Sequence, residues 1–327
     1  MHPGRFDPHI RPINVRKDLR FIADLIEQSF FEQMDAEGRD YLRHIRQIAA
    51  GISPFMVDGG TPETSPFPFQ GYLWEEEGKI IGNITLILIK RKSVTTYFIA
   101  NVAVEPSQRG KGIARKLTAR AIAHVQEHGG KQICLQVRSD NPTAIRIYQE
   151  TGFEETSRRT SWGFSKQVPP VEKSAARYEI SRRKKEDWGE QQLLLQRVYP
   201  PDVAWNLPIN PNRLRPGFTT WLENFMSNIT VRTWVIRQND RLLGSASVES
   251  GAASQDYVWL ASSPSNEDAV ILSLMPYIFH KAPKPQQVVV NYPAGEGVDS
   301  FYKCAMKEIH TLIWMKKDLQ KELSPLP

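Results

Sequence analysis

A mixed-sheet α/β fold, built twice along one chain, is what the sequence predicts. Short apolar runs at residues 97–104 and 131–138 flank a stretch with helical periodicity from Ile113 onward. Glycines Gly110 and Gly112 mark a tight turn between strand and helix. The order of elements in the first half then recurs, at low identity, from residue 178. A chain of 327 residues suits two cores better than one. With 40% hydrophobic and 24% charged residues it reads as a folded globular protein, not a disordered one.

The elements follow in order. Residues 9–15 read as a short strand. Leu19, Ile22, Leu25, Ile26, Phe30 and Met34 form the apolar stripe of a helix over 18–34. A second helix runs over 40–50 and stops at Gly51. The loop 53–69 is rich in proline and phenylalanine and long enough to cover a site; as a plain surface loop it would tuck its aromatics onto the core. Strands over 71–75 and 79–91 form a hairpin around Glu77-Gly78, and another begins at Thr95. Pro106 ends that strand, having no N–H for the ladder. Ile113, Leu117, Ala121 and Val125 give the next helix its buried face. A half-buried strand over 131–138 follows. Asn141 and Pro142 then cap and open a helix that stops at Gly152, and Phe153 opens a further strand.

The turn between Pro106 and Ile113 directs free N–H groups and the positive end of a helix dipole at one spot, with Arg109 and Lys111 beside it. That is an anion site, and phosphate is the usual anion. Neither the dinucleotide-binding nor the Walker spacing of glycines is present. What stands there is Arg109-x-x-Gly112-x-Ala114 after Val102-Ala103-Val104. This resembles the acetyl-CoA pyrophosphate loop of the GNAT acetyltransferases, over roughly residues 9–164. The resemblance implies the acyl-CoA N-acyltransferase fold. It also implies acetyl-CoA as cofactor, lying in a splayed gap between the strand before the loop and the strand after the helix.

Carried over, the backbone of Val102, Ala103 and Val104 would face the pantetheine arm. The amides of Arg109, Gly110, Lys111, Gly112, Ile113 and Ala114 would hold the pyrophosphate. Asn141 matches the family asparagine on the pantetheine side, and Tyr148 the tyrosine facing the thioester sulfur. The implied reaction is direct attack by a neutral amine, with backbone donors near Val102 on the developing oxyanion and Tyr148 as general acid. Leu135-Gln136-Val137-Arg138 resembles a strand of the ribosomal-protein alanine acetyltransferases, but glutamine stands where those enzymes carry a glutamate base. Glu105 is the nearest substitute, acting through water; Asp58 and Glu63 on the proline-rich loop are further candidates. As structural residues, Tyr148 would be a core aromatic and Glu105 a solvated loop carboxylate.

Other constellations carry less. His124 and His128 lie four apart on one helix; without a third ligand nearby, an exposed helix face, and no metal, is expected. Cys134 and Cys304 lie in apolar patterns and read as reduced, buried thiols, which suits a cytoplasmic protein. The N-terminus is polar, not a signal peptide, and no segment has the apolar length to span a bilayer. No basic-aromatic stripe accompanies the net charge of +6, so neither nucleic acid nor membrane is expected as a partner.

The second half, after a linker over 165–176, repeats the order without the anion loop. Leu243-Gly244 mirrors Ile81-Gly82, and the strand over 288–291 mirrors the one leading to Asn141. Residues 262–269 contain no glycine, and Glu267 and Asp268 stand where phosphate would bind. The expected domains are therefore 1–164 with the acetyl-CoA site and a degenerate copy over 177–327 without one. The two would pack as a pseudo-dimer within a single chain, with Tyr302 as a packing residue, and the chain could stand as a monomer. The expected function is transfer of acetyl to a primary amine on a small molecule or peptide. Two alternatives are a non-catalytic acetyl-CoA sensor or interaction module, and a thiol-conjugate acetyltransferase of the mycothiol-synthase kind.

Overall fold

A computed structural model describes residues 7–34, 36–51, 70–90, 95–165, 178–205, 207–251, 255–281 and 287–320. The proline-rich loop 53–69, with Asp58 and Glu63, and all but the first residue of the expected linker lie outside them. The chain forms two compact units: Met1–Thr156 with Ile313–Pro327, and Ser157–Leu312. These do not follow the linear division at 165–176. Two long strands, β6 (Glu154–Phe164) and β12 (Met306–Asp318), each begin in one unit and end in the other, so each half of the sequence lends its last strand to the other unit.

The first unit runs β1 (Ile10–Pro12), α1 (Val15–Phe30), α2 (Ala36–Ala49), β2 (Gly71–Glu76), β3 (Lys79–Lys90), β4 (Thr95–Val104), α3 (Ile113–Glu127), β5 (Gln132–Arg138) and α4 (Pro142–Glu150). Its strands stand in the order β1-β2-β3-β4-β5 and then the end of β12. The hairpin between β2 and β3 turns on Glu77 and Gly78, whose φ values of 49° and 75° give the turn a sense that matches strand twist. The predicted stripe of α3 is buried: Ile113, Leu117, Ala121 and Val125 are at most 2% exposed. Gly82 on β3 lets that helix come close, since a Cβ there would lie 2.9 Å from Ile113 Cγ2. On the other face, Leu19, Ile22 and Ile26 of α1 pack with Leu42 and Ile45 of α2 over Leu73.

The second unit contains most of β6, then β7 (Glu179–Arg182), α5 (Trp188–Val198), α6 (Pro201–Ala204), α7 (Pro211–Leu214), α8 (Phe218–Met226), β8 (Thr230–Gln238), β9 (Arg241–Ser250), β10 (Asp256–Ser262), α9 (Glu267–Lys281), β11 (Val288–Pro293), α10 (Val298–Lys303) and the start of β12. Its strands follow β6-β11-β10-β9-β8-β7. Gly244 on β9 repeats the role of Gly82: a Cβ there would meet Val270 of α9 at 2.7 Å. Neither cysteine forms a disulfide, and only Cys304 is fully buried. Tyr302 does not pack away as expected; it is 52% exposed, and its hydroxyl donates to Glu308. No described helix is long and apolar enough to cross a membrane.

Candidate active site

The site of the first unit starts from a failure of pairing. β4 and β5 are parallel and in register only from Thr96↔Gln132 to Ile99↔Leu135, although β4 continues to Val104 and β5 to Arg138. Past Ile99 the two strands part. At the parting, Asn101 adopts φ 52°, which asparagine tolerates better than most residues. Its carbonyl accepts from Asn83 Nδ2 at 2.8 Å, and its own Nδ2 donates to the Tyr41 hydroxyl at 2.6 Å. Beyond this irregularity the N–H of Glu105 donates to Ile81 on β3. Strand alternation therefore turns the amides of Val104 and Val102 the other way, into the gap.

Below the gap lies the glycine turn. Gly110 and Gly112 have φ values of 81° and 78°, and nothing lies within 4 Å of where a Cβ would stand on either. Their glycine character serves the backbone conformation, and the space beside them is open. Gly112 caps α3 without a side-chain acceptor. Among the described residues, the amides of Gly110, Lys111, Gly112, Ile113, Ala114 and Arg115 meet no acceptor. This is a row of orphan donors at the positive end of a helix of 15 residues.

A cavity of about 720 Å³ joins gap and turn. Of the predicted residues, Val102, Ala103, Val104, Arg109, Gly110, Gly112, Ile113, Ala114, Asn141 and Tyr148 line it. Lys111 and Glu105 do not. Lys111 bonds Gln108 Oε1 at 2.6 Å, and Glu105 bonds Lys79 Nζ at 2.8 Å. Glu105 is thus a paired carboxylate on the β3 side of its strand, not a group facing the cavity. Lining residues that the sequence does not single out for the site include Ser29 and Phe30 at the end of α1, and Arg115 and Arg146, which share Glu150 at 3.5 and 3.4 Å. Their three-dimensional neighbours, not their local pattern, bring them there. With Arg109, three guanidinium groups face a single carboxylate, leaving the cavity suited to an anion.

Asn141 caps α4 by accepting the Ala144 N–H at 3.1 Å, as its place before Pro142 predicts. Tyr148, six residues into that helix, is 6% exposed and packs edge-on to Phe153 at 5.9 Å. Burial drives its pKa well above the ordinary phenol value. No described group bonds its hydroxyl. The ring belongs to the core cluster, and the residue also lines the cavity.

The histidine pair differs from expectation. His124 is buried, not exposed, and Glu127 does lie near it and His128. The three still make a poor metal site: His124 Nδ1 meets the Tyr72 hydroxyl at 2.8 Å, its Nε2 meets Gln70 Nε2 at 3.2 Å, and Glu127 pairs with Arg120 at 3.1 Å. Burial, then His128 and Arg120, hold the His124 pKa down to about 4.

Residues 26–153 match the acetyltransferase (GNAT) family. That stretch of the chain is a GNAT domain. A mycothiol acetyltransferase from Kocuria rhizophila is 42% identical over 53 residues, covering 16% of this chain and 18% of that protein. The N-alpha-acetyltransferase MAK3 of Arabidopsis thaliana is 30% identical over 94 residues, 27% of this chain and 50% of its own. The chain therefore spans half or less of the length of these relatives. Among solved structures, a GCN5-related N-acetyltransferase from Sphaerobacter thermophilus gives a TM-score of 0.60 at 14% identity, over 96% of this chain and 97% of that one. A tandem GNAT protein from the clavulanic acid pathway gives 0.52 at 13% identity, over 97% and 99%. The GNAT fold thus extends over both halves.

GNAT proteins generally use acetyl-CoA, and the first unit's residues fit its chemistry. Unpaired amides and guanidinium groups suit a diphosphate, and unpaired strand backbone suits an amide-bearing arm. The second unit does not offer the same fit. Its parallel pair β10–β11 also parts early, after Val258↔Val290. There Tyr199 crosses the gap: the backbone of Leu260 on β10 bonds its hydroxyl, which donates in turn to the Asn291 carbonyl on β11 at 3.1 Å. Arg159, 2% exposed, donates to the carbonyls of Val198 and Asn291 beside it at 2.8 and 3.1 Å.

Proposed function

We propose that the chain is an acetyl-CoA-dependent N-acetyltransferase with its working site in the first unit, acting on a primary amine of a small molecule or peptide. The row of unpaired amides from Gly110 to Arg115, facing a cavity lined by Arg109, Arg115 and Arg146, carries this reading. Acetyl-CoA would supply an activated thioester. The chain's own residues would do the rest. The turn amides and guanidinium groups hold negative charge, and the amides of Val102 and Val104 orient the neighbouring arm. Tyr148, whose pKa stands far above neutrality, keeps its proton and can only donate, which suits it to protonate a departing thiolate and not to act as base.

Glu105 is left out of the proposed machinery, because it does not line the cavity and one of its carboxylate oxygens pairs with Lys79. The amine would then have to arrive neutral or lose its proton to water. The second unit is proposed as a GNAT copy that binds no cofactor, since Tyr199 already occupies the strand donors and acceptors that a cofactor would need. A panel of amines incubated with acetyl-CoA, followed by detection of free thiol, tests the activity. Amine-dependent thiol release is expected. Tight CoA binding with no release on any amine would favour a sensor instead.

A further inference from the structure

Helix α8 of the second unit is turned inside out. Phe218, Trp221, Leu222, Phe225 and Met226 follow the spacing of one helical face, yet they are 73, 57, 40, 68 and 80% exposed. The inward face carries the polar Thr220 and Asn224, each 9% exposed, and Asn224 Nδ2 anchors the helix by donating to the Arg213 carbonyl at 3.0 Å. The aromatic rings stack along the ridge, Phe218 on Trp221 and Trp221 on Phe225, both at 5.6 Å. An apolar surface of this kind is normally covered by something.

Beside the ridge is a pocket of about 410 Å³ lined by Arg182, Arg183, Arg213, Arg215 and Arg232, with no acidic residue in its wall. Arg213 is offset by Glu249 at 2.9 Å, Arg182 lies 4.9 Å over the Trp234 ring, and Arg183 donates to the Leu214 carbonyl. Arg215 and Arg232 meet no carboxylate among the described residues.

We propose that this face rests on an anionic lipid bilayer, with the α8 ridge at the acyl boundary and the arginine pocket among the headgroup phosphates. Charge and shape select that occupant. The ridge side chains project, and the pocket beside them mixes arginines with apolar residues and holds no acidic side chain, whereas an amphipathic peptide needs a continuous apolar groove. A bilayer accepts projecting rings and supplies phosphate at the depth of the guanidinium groups. The contact is peripheral and independent of acetyl transfer.

Co-sedimentation of the full chain with phosphatidylcholine vesicles, with and without phosphatidylglycerol, tests it. Binding is expected only to the anionic vesicles, weakening as salt rises. Arg215→Gln with Arg232→Gln should weaken binding about thirty-fold, and Phe225→Ser with Met226→Ser should abolish it. All four positions lie at the surface, so folding should survive. Failure to sediment with either vesicle, or equal sedimentation with both, would overturn the proposal. So would a dimer, seen by light scattering, that Met226→Glu splits.

Discussion

The two units contain the same break between parallel strands and resolve it in opposite ways. In the first, β4 and β5 part after Ile99, and the backbone beyond is left facing a cavity. In the second, β10 and β11 part after Val258, and Tyr199 bridges the opening with Arg159 packed 5.0 Å from its ring. The helix that follows differs too. α3 opens on a glycine cap with unpaired amides, whereas α9 opens on Glu267 and Asp268, which put negative charge where an anion would bind. A splayed strand pair is thus a latent binding site, and the side chains around it decide whether it stays open or becomes core.

Several substitutions should break or sharpen this contrast. The largest effect is expected from Tyr148→Phe, which should lower kcat by about a hundredfold to ten-thousandfold while CoA affinity is kept. Stopped-flow turnover beside a binding isotherm separates the two. Gly112→Val comes next, forcing a β-branched residue to φ 78° at the head of the amide row. Loss of two charge-assisted bonds should weaken CoA about a hundredfold, read by titration.

Arg159→Met addresses the plugged gap. It removes the donors to Val198 and Asn291 from a side chain that is 2% exposed, and should cost about 3 kcal/mol of stability. Denaturant unfolding should register that cost, while kcat and CoA affinity stay unchanged if the second unit binds no cofactor.

A separate effect, on stability alone, concerns His124. With its folded pKa near 4 against an ordinary value of 6.5, the unfolded chain binds this proton more readily than the folded one. The stability that depends on neutral His124 is complete above pH 6.5 and is lost as pH falls toward 4. The melting temperature should decline across that window, and His124→Asn should flatten the decline.

What could be read in advance was local. The α3 stripe, the glycine turn, the Asn141 cap and the hairpin at Glu77-Gly78 each depend on residues within a turn or two of one another. Even the pairing of Gly82 with Gly244 was visible, and its cause is the close approach of a helix to each strand. The plug was hidden because Tyr199 and Asn291 lie 92 residues apart, and Arg159 and Asn291 132 apart. The exchange of β6 and β12 was hidden for a related reason: a strand's alternation shows which face is apolar, not which sheet receives it. The outward face of α8 shows the same limit for helices. Its period marks an apolar stripe without saying whether anything covers it. Glu105 lies outside the cavity lining because nearness in sequence to the turn does not fix the side of the strand on which a carboxylate emerges.

Isothermal titration of CoA into the intact chain, with Gly112→Val as its partner experiment, probes the open-versus-plugged contrast most directly. One molecule should bind per chain, and the substitution should remove most of that binding. Two molecules per chain, no heat at all, or binding undiminished by Gly112→Val would contradict a single diphosphate site at the first unit's turn.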